Sequence, residues 1–187
     1  MTIWFTSDQH FGHKNILLPT YCDRPFVDVD DMNRGLIERH NSVVKDSDEV
    51  WHIGDFSLNE KFVPLILPQL KGAAHHIVVG NHDGAHIRHK KYEVATKRYL
   101  DYGFKSVHQE VRNFEGKFLL NHLPYLNNGD SKHEARFPEY RPKDTGGWLL
   151  HGHVHKAWKV NKRMINCGVD VHDYFPVALE TLLEIIK

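Results

Sequence analysis

Cysteine is nearly absent from this chain, and so are the features of secreted and membrane-bound proteins. Cys22 and Cys167 are the two cysteines among 187 residues, too few for a disulfide framework. No apolar run approaches the roughly 20 residues that cross a bilayer. No signal-like segment precedes the first strand-like run, which begins at Thr2. We therefore expect a reducing, cytoplasmic setting and no membrane partner.

The chain also lacks net charge, because 24 basic residues balance 24 acidic ones. Without a bulk positive field, a protein has no general attraction for a long polyanion. Long nucleic acid is therefore not an expected partner, and any attraction for phosphate must be local. No repeat, low-complexity tract or linker divides the sequence, and its length fits a single domain, residues 1–187.

Histidine, by contrast, is abundant, with 16 residues dispersed along the chain. Five of them fall in short polar clusters, each placed where an apolar, strand-like run stops. The clusters are Asp8-Gln9-His10, Gly54-Asp55, Gly80-Asn81-His82-Asp83, Asn121-His122 and His151-Gly152-His153. Alone, each cluster is more often a capped turn than a metal ligand. Together they form a donor set without cysteine, which suits manganese, iron or zinc and disfavours a structural zinc site.

The runs before these clusters are short, rich in β-branched or aromatic residues, and bounded by Gly, Asp or Asn, as buried strands are. They span residues 3–6, 50–53, 77–79, 117–120 and 148–150. Helix-like segments at 31–44 and 86–102 alternate with them. This predicts an α/β fold with the clusters at the carboxyl ends of strands. Residues 107–114, 117–120 and 164–169 are predicted to be neighbouring antiparallel strands.

Residues 123–147 differ from the rest of the chain. The segment is rich in proline, glycine and asparagine, has little apolar periodicity, and begins directly after His122. Long loops in compact domains are often functional. We interpret this one as a cap on the substrate side of the site, and the alternative is a solvated insertion.

In their order, the five clusters resemble the motifs of the calcineurin-like metallophosphoesterases, from Asp8 to His153. The resemblance implies two packed mixed β-sheets flanked by helices, in four layers, and a centre with two divalent metal ions. Its ligand sets would be Asp8, His10, Asp55 and His153 for the first ion, and Asp55, Asn81, His122 and His151 for the second. Manganese is the first expectation, with iron, zinc or nickel as alternatives. A shared carboxylate, here Asp55, offsets the repulsion between two cations and leaves room for a bridging hydroxide.

The same resemblance implies hydrolysis of a phosphoester by that hydroxide, with His82 as the general acid that protonates the leaving group. Histidine titrates near neutral pH and suits proton transfer. Many members of the family carry an acid three residues after the bridging aspartate, where this chain has Leu58. Asp83 or a water molecule would then orient His82.

His13 and Arg24 are candidates for binding the substrate, since both lie on the long connection after the first ligand pair. Arginine binds phosphate oxygens through two parallel hydrogen bonds. The alternative for Arg24 is a surface ion pair with a nearby aspartate. His52 is assigned to the core, and His155 to the edge of the site without a role in it.

We expect a phosphodiesterase more than a phosphatase. Small phosphodiesterases carry similar segments, and no crowded basic pocket is evident that would neutralise a dianionic monoester. The expected substrate is a small phosphoester or a nucleotide. One alternative is a nuclease acting on short or single-stranded nucleic acid. Another is a catalytically silent interaction scaffold, which the intact ligand set disfavours. The oligomeric state stays open, with a homodimer among the options.

Overall fold

Two five-stranded β-sheets form the centre of the protein in a computed structural model that describes residues 1–126 and 136–187. Strands are numbered along the chain. The first sheet contains β1 (Ile3–Thr6), β2 (Glu49–His52), β3 (Ala74–Val78), β4 (Ser106–His108) and β10 (Val177–Ala178). Its order is β10-β1-β2-β3-β4; β1 to β4 are parallel, and β10 is antiparallel to β1.

The second sheet is also mixed. It contains β5 (Val111–Phe114), β6 (Phe118–Leu120), β7 (Trp148–His151), β8 (Val160–Asn161) and β9 (Met164–Asn166). Its order is β5-β6-β7-β9-β8, with a parallel centre (β6, β7 and β9) and an antiparallel strand at each edge. The α/β class, predicted from the alternation of strands and helices, and the two mixed sheets, implied by the family resemblance, are therefore confirmed.

The two sheets pack face to face through one buried apolar cluster. Phe5 and Val78 contribute from the first sheet, and Phe118 and Leu150 from the second. The short helix α4, Leu179–Ile185, follows β10 and adds Leu182 to this cluster. Burial of apolar surface from both sheets fixes how their strand ends face one another.

Helices cover the other face of the first sheet. These are α1 (Val29–Val43) and α3 (Tyr92–Asp101), with the one-turn α2 (Val63–Ile66) between them in sequence. The side chain of Asp28 caps α1 by accepting a hydrogen bond from the backbone N–H of Asp31 at 2.8 Å. The described helices are all too short or too polar to cross a bilayer.

Three local predictions need correction. Residues 107–114 are not one strand, because the chain leaves the first sheet after β4 and enters the second at β5. Strand β9 lies beside β7 and β8 rather than beside β6. Residues 86–91 form successive turns, and the helix begins only at Tyr92. Apolar periodicity marks an extended segment but does not say which sheet takes it up.

The loop at residues 123–147 is described in part. Residues 138–140 form one short 3-10 turn, Pro138–Tyr140. The middle of the predicted cap, residues 127–135, lies outside the described residues.

Candidate metal centre

The carboxyl ends of strands from both sheets meet at one buried site. Asp8, Asp55 and Asn81 follow β1, β2 and β3 of the first sheet. His122 follows β6 of the second sheet, and His151 is the last residue of β7. Parallel strands end at the same edge of a sheet, so residues distant in sequence become neighbours here.

Asp55 lies between histidines contributed by the two sheets. Its Oδ2 atom is 3.6 Å from Nε2 of His10 and 3.3 Å from Nε2 of His122. Donor atoms of Asp8, Asp55 and His122 all lie within 4.8 Å of one another. These donor atoms are close enough together to bind a metal ion jointly.

Buried donor atoms without a hydrogen bond test whether the site suits cations. Among the described residues, both ring nitrogens of His10, Nε2 of His151 and Oδ1 of Asn81 are buried and form no hydrogen bond. Buried polar atoms are almost always paired in folded proteins. Their convergence, together with two buried carboxylates, fits a divalent metal centre of nitrogen and oxygen ligands.

Backbone carbonyl groups orient two of the histidine rings. Nδ1 of His122 is 2.8 Å from the carbonyl oxygen of Ile53, and Nδ1 of His151 is 2.7 Å from that of Gly152. Each Nδ1–H can donate to its carbonyl, which leaves the Nε2 lone pair for a metal.

His153 completes the group of predicted ligands. Its backbone N–H donates to both carboxylate oxygens of Asp8, at 3.1 and 3.0 Å. Its ring centroid lies 5.5 Å from that of His122. All seven predicted ligands are buried; they are Asp8, His10, Asp55, Asn81, His122, His151 and His153. Donor atoms of Asp8, Asp55 and His122 form one possible metal-binding group, and those of Asp8, His10 and His155 form another.

The backbone is strained where it presents these ligands. Asp8, His10, Asp55 and His153 have φ angles of 56°, 52°, 52° and 72°, in the left-handed region that non-glycine residues seldom adopt. Backbone hydrogen bonds between the turn after β1 and the turn after β2 hold this conformation. Asp8 N–H donates to the carbonyl oxygen of Gly54, and His10 N–H donates to that of Asp55, each at 3.0 Å. Strain of this kind is typical of functional sites.

Close packing at Gly80 explains why a glycine precedes Asn81. A Cβ atom there would overlap the Asp55 carboxylate and lie 2.5 Å from the Asp55 backbone nitrogen. No side chain larger than hydrogen is compatible with this approach.

Ion pairing between Asp55 and the neighbouring histidines sets the protonation states of the site. Burial opposes ionisation of Asp55, but His122 and His10 outweigh it and hold the pKa well below the usual range. Burial likewise opposes protonation of His122, but the Asp55 carboxylate raises its pKa to about 9, so a metal that binds Nε2 of His122 would displace a proton from the ring. Burial lowers the pKa of His151 to about 3, so this ring is neutral and able to bind a metal at physiological pH.

His82 lies beside this group and is partly exposed. Its backbone N–H donates to Oδ1 of Asp55 at 2.9 Å, and its ring centroid is 5.5 Å from that of His10. Burial lowers its pKa, with Asp55 acting in the opposite direction. Leu58 is exposed and takes no part in orienting it.

Asp83 does not orient His82, contrary to one of the two options left open by the sequence. Its carboxylate accepts hydrogen bonds from the backbone N–H groups of Gly80, Asp55 and Phe56, at 2.7, 2.8 and 3.2 Å. It therefore ties the Asp55 turn to the Asn81 turn. Burial, reinforced by the charge of Asp55, raises the pKa of Asp83 to about 7.

Arg24 supports the turn that carries Asp8 and is not available to a substrate. It is buried, and its Nε and Nη2 atoms donate to the two carboxylate oxygens of Asp170 at 2.8 and 2.9 Å. The guanidinium also donates to the carbonyl oxygens of Asp8 at 2.6 Å and Gln9 at 2.8 Å. Neither the predicted phosphate contact nor the alternative surface pair accounts for this environment.

His155 is closer to the site than the sequence suggested. Nδ1 of His155 is 3.0 Å from Oδ2 of Asp170, and its ring centroid is 5.2 Å from that of His10. Burial opposes protonation, but Asp8 and Asp170 raise the pKa well above its usual value. The regular spacing of His151, His153 and His155 was the available signal for its position.

The two remaining histidines differ in surroundings. His13 lies beside His10, with ring centroids 5.3 Å apart, and its buried Nδ1 has no hydrogen bond among the described residues. His52 is fully buried between Gln9 and His75, which confirms its assignment to the core.

Comparison with protein families gives the same picture over most of the chain. Residues 1–172 match the model of the calcineurin-like phosphoesterase superfamily domain. The protein belongs to this superfamily. Its members are metal-dependent phosphoesterases that generally bind divalent ions, and the clustered carboxylates and histidines agree with that.

Several proteins are similar to this chain across nearly its full length. An uncharacterised protein of Methanocaldococcus jannaschii is 31% identical, with 99% of this chain and 91% of the relative covered. The Gene 66 protein of Mycobacterium phage D29 is 33% identical, with coverages of 94% and 92%. A crystal structure of a protein of unknown function from Aquifex aeolicus is similar with a TM-score of 0.68 at 25% identity, covering 98% of both chains.

Proposed function

We propose that the protein is a two-metal phosphodiesterase that binds manganese and uses His82 as its general acid. The main support is the convergence of Asp8, Asp55 and His122 within 4.8 Å, beside buried His10 nitrogens that have no other described hydrogen bond. The proposed ligands are those of the sequence analysis, with Asp55 shared between the two ions.

Bound ions would supply a water molecule that is nucleophilic near neutral pH and positive charge opposite the phosphoryl oxygens. The chain would contribute alignment and a proton. Hydrogen bonding to Ile53 orients His122, and the Asp83 carboxylate holds the Asp55 turn. Partly exposed His82 can reach a substrate, and a phosphate anion beside it would favour its protonated form. His13 stays a proposed substrate contact.

A diester is the favoured substrate because Arg24 is engaged elsewhere. The Nε and Nη2 atoms of Arg24 donate to Asp170, so the guanidinium does not offset the second negative charge of a phosphomonoester. A nuclease for short or single-stranded nucleic acid is compatible with the same centre. An assay with manganese should compare a nitrophenyl monoester, a nitrophenyl diester, cyclic nucleotides and single-stranded oligonucleotides. Hydrolysis of none of them by metal-loaded protein would contradict an enzymatic function.

The role of His82 is tested by the leaving group. The His82→Ala variant should keep its metals. Its kcat should fall only slightly with a nitrophenolate leaving group, because nitrophenolate departs without a proton. With an alkyl or ribose alkoxide it should lose roughly 10²–10⁴ in kcat. The two substrates serve as each other's control. An equal loss for both leaving groups would show that His82 positions the phosphate instead.

A further inference from the structure

The described limbs of the loop after His122 are held together beside the candidate metal centre. Arg141 is buried, and its guanidinium donates to the carbonyl oxygens of Pro124 at 3.0 Å and Arg136 at 3.1 Å. The returning limb is therefore anchored to the outgoing one, close to His122. This anchor fixes the position of Arg136 and of Phe137 beside it.

Phe137 lies against the site. Its ring centroid is 6.0 Å from that of His153, at an interplanar angle of 66°. Its φ angle of 57° lies in the left-handed region, which a bulky side chain rarely adopts. Such strain persists only where the surroundings enforce it, and it is common where a protein contacts a ligand.

Two arginine side chains contact the same aromatic ring. The Cζ atom of Arg88 is 4.7 Å from the Phe137 centroid, and that of Arg136 is 5.8 Å from it. Arg88 also donates to the carbonyl oxygen of Asn81 at 3.0 Å, at the peptide that precedes His82. Both arginines are exposed, and within the described ranges neither pairs with a carboxylate. Contact with a ring face positions a guanidinium but leaves its N–H donors available to an anion.

We propose that Arg88, Arg136 and Phe137 form a binding site for a second anionic group, carried by the leaving group of the substrate. This inference rests on the proposed function, since the role of His82 defines the leaving-group side of the centre. The implied substrate class is a phosphodiester whose leaving group bears a further phosphate, as at the end of a short oligonucleotide. Guanidinium groups match phosphate oxygens through paired, charge-assisted hydrogen bonds.

Equilibrium binding to manganese-loaded protein tests the site without requiring turnover. The probes are adenosine 5′-monophosphate and adenosine 3′,5′-bisphosphate, which differ by one phosphate. The bisphosphate should bind roughly five-fold to ten-fold more tightly to the unaltered protein. Arg88→Gln and Arg136→Gln should each reduce that preference, and the double variant should abolish it. Arg34→Gln, on the exposed surface of α1, is the matched control and should retain it.

Equal binding of the two probes by the unaltered protein would overturn the proposal, as would a preference that survives in the double variant. Because both arginines are exposed, unchanged unfolding midpoints are expected and will separate lost binding from lost folding. The result is independent of catalysis. A bisphosphate preference without hydrolysis of any phosphoester would refute the proposed function alone, and hydrolysis without the preference would refute this inference alone.

Discussion

At the scale of single residues, Arg24 shows how burial decides the role of a charged side chain. Its position after the first ligand pair suggested a contact with substrate phosphate. In the fold, the same guanidinium bonds Asp170 and the carbonyl oxygens of Asp8 and Gln9. Its partner Asp170 lies 146 positions away along the chain, and no local pattern announces that pairing.

Replacing Arg24 with lysine should therefore affect folding and metal binding together. Lysine keeps the charge but has a single nitrogen donor. The hydrogen bonds to the carbonyl oxygens of Asp8 and Gln9, and one of the two hydrogen bonds to Asp170, would therefore be lost. We expect a loss of about 2 to 4 kcal/mol in the free energy of unfolding, approaching the cost of breaking a buried ion pair. Manganese affinity should also fall. Urea unfolding and metal titration measure the two effects.

The control for this prediction is the surface ion pair of Arg34 and Asp31. Nη2 of Arg34 lies 2.6 Å from Oδ1 of Asp31. Arg34→Lys should change the free energy of unfolding by about 0.5 kcal/mol or less, since surface pairs contribute little. If Arg24→Lys matched this control in both stability and metal affinity, the supporting role of Arg24 would be wrong.

At the scale of secondary structure, strands β2 and β3 contain a chain of buried histidines. Gln9 Nε2 is 2.8 Å from His52 Nδ1, and His52 Nε2 is 3.1 Å from His75 Nδ1. If Gln9 donates to His52, His52 can donate in turn to His75. Each ring is then neutral, and a proton on Nδ1 of His75 would face another N–H group.

This arrangement predicts sensitivity to acid. Burial lowers the pKa of His75 to about 4, compared with an ordinary value of 6.5. Between these values the unfolded chain binds more protons than the folded one, so stability is fully present above about pH 6.5 and declines as the pH falls toward 4. For His75 the shift corresponds to a decline of about 3 kcal/mol. Urea unfolding of the metal-free protein at several pH values measures it.

His75→Gln removes the titrating group and should give a shallower decline. The matched control is His89→Gln, because His89 lies outside the chain of contacts formed by Gln9, His52 and His75. An identical decline in His75→Gln and in the unaltered protein would exclude His75 as its source.

Strand positions were predictable from the sequence where short apolar runs end at polar clusters, as at β1 and β7. The assignment of strands to sheets was not, because β4 and β5 are separated by only two residues, Gln109 and Glu110, yet belong to different sheets. Local propensity carries no information about such a crossing. The same limit applies to the site. Motif order identified the proposed ligand residues, but the roles of Asp83, His155 and Asp170 depend on contacts between distant segments.

At the scale of the whole molecule, the candidate centre joins the two sheets. Asp8, Asp55 and Asn81 come from the ends of strands in the first sheet, and His122 and His151 from the second. Ions bound there would connect the two sheets at the carboxyl ends of these strands, in addition to the apolar contacts between the sheet faces. Because the unfolded chain cannot form such a site, metal binding should also stabilise the fold.

The central claim is that Asp55 is shared by two ions, and the metal content of purified protein tests it most directly. Elemental analysis after manganese loading and removal of unbound metal should find two ions in the unaltered protein and in Asp46→Ala, a control at an exposed aspartate. His10→Ala and His122→Ala should each retain one ion. Asp55→Ala should retain neither firmly, because both sites lose a ligand at once. Two firmly bound manganese ions in Asp55→Ala would contradict the account.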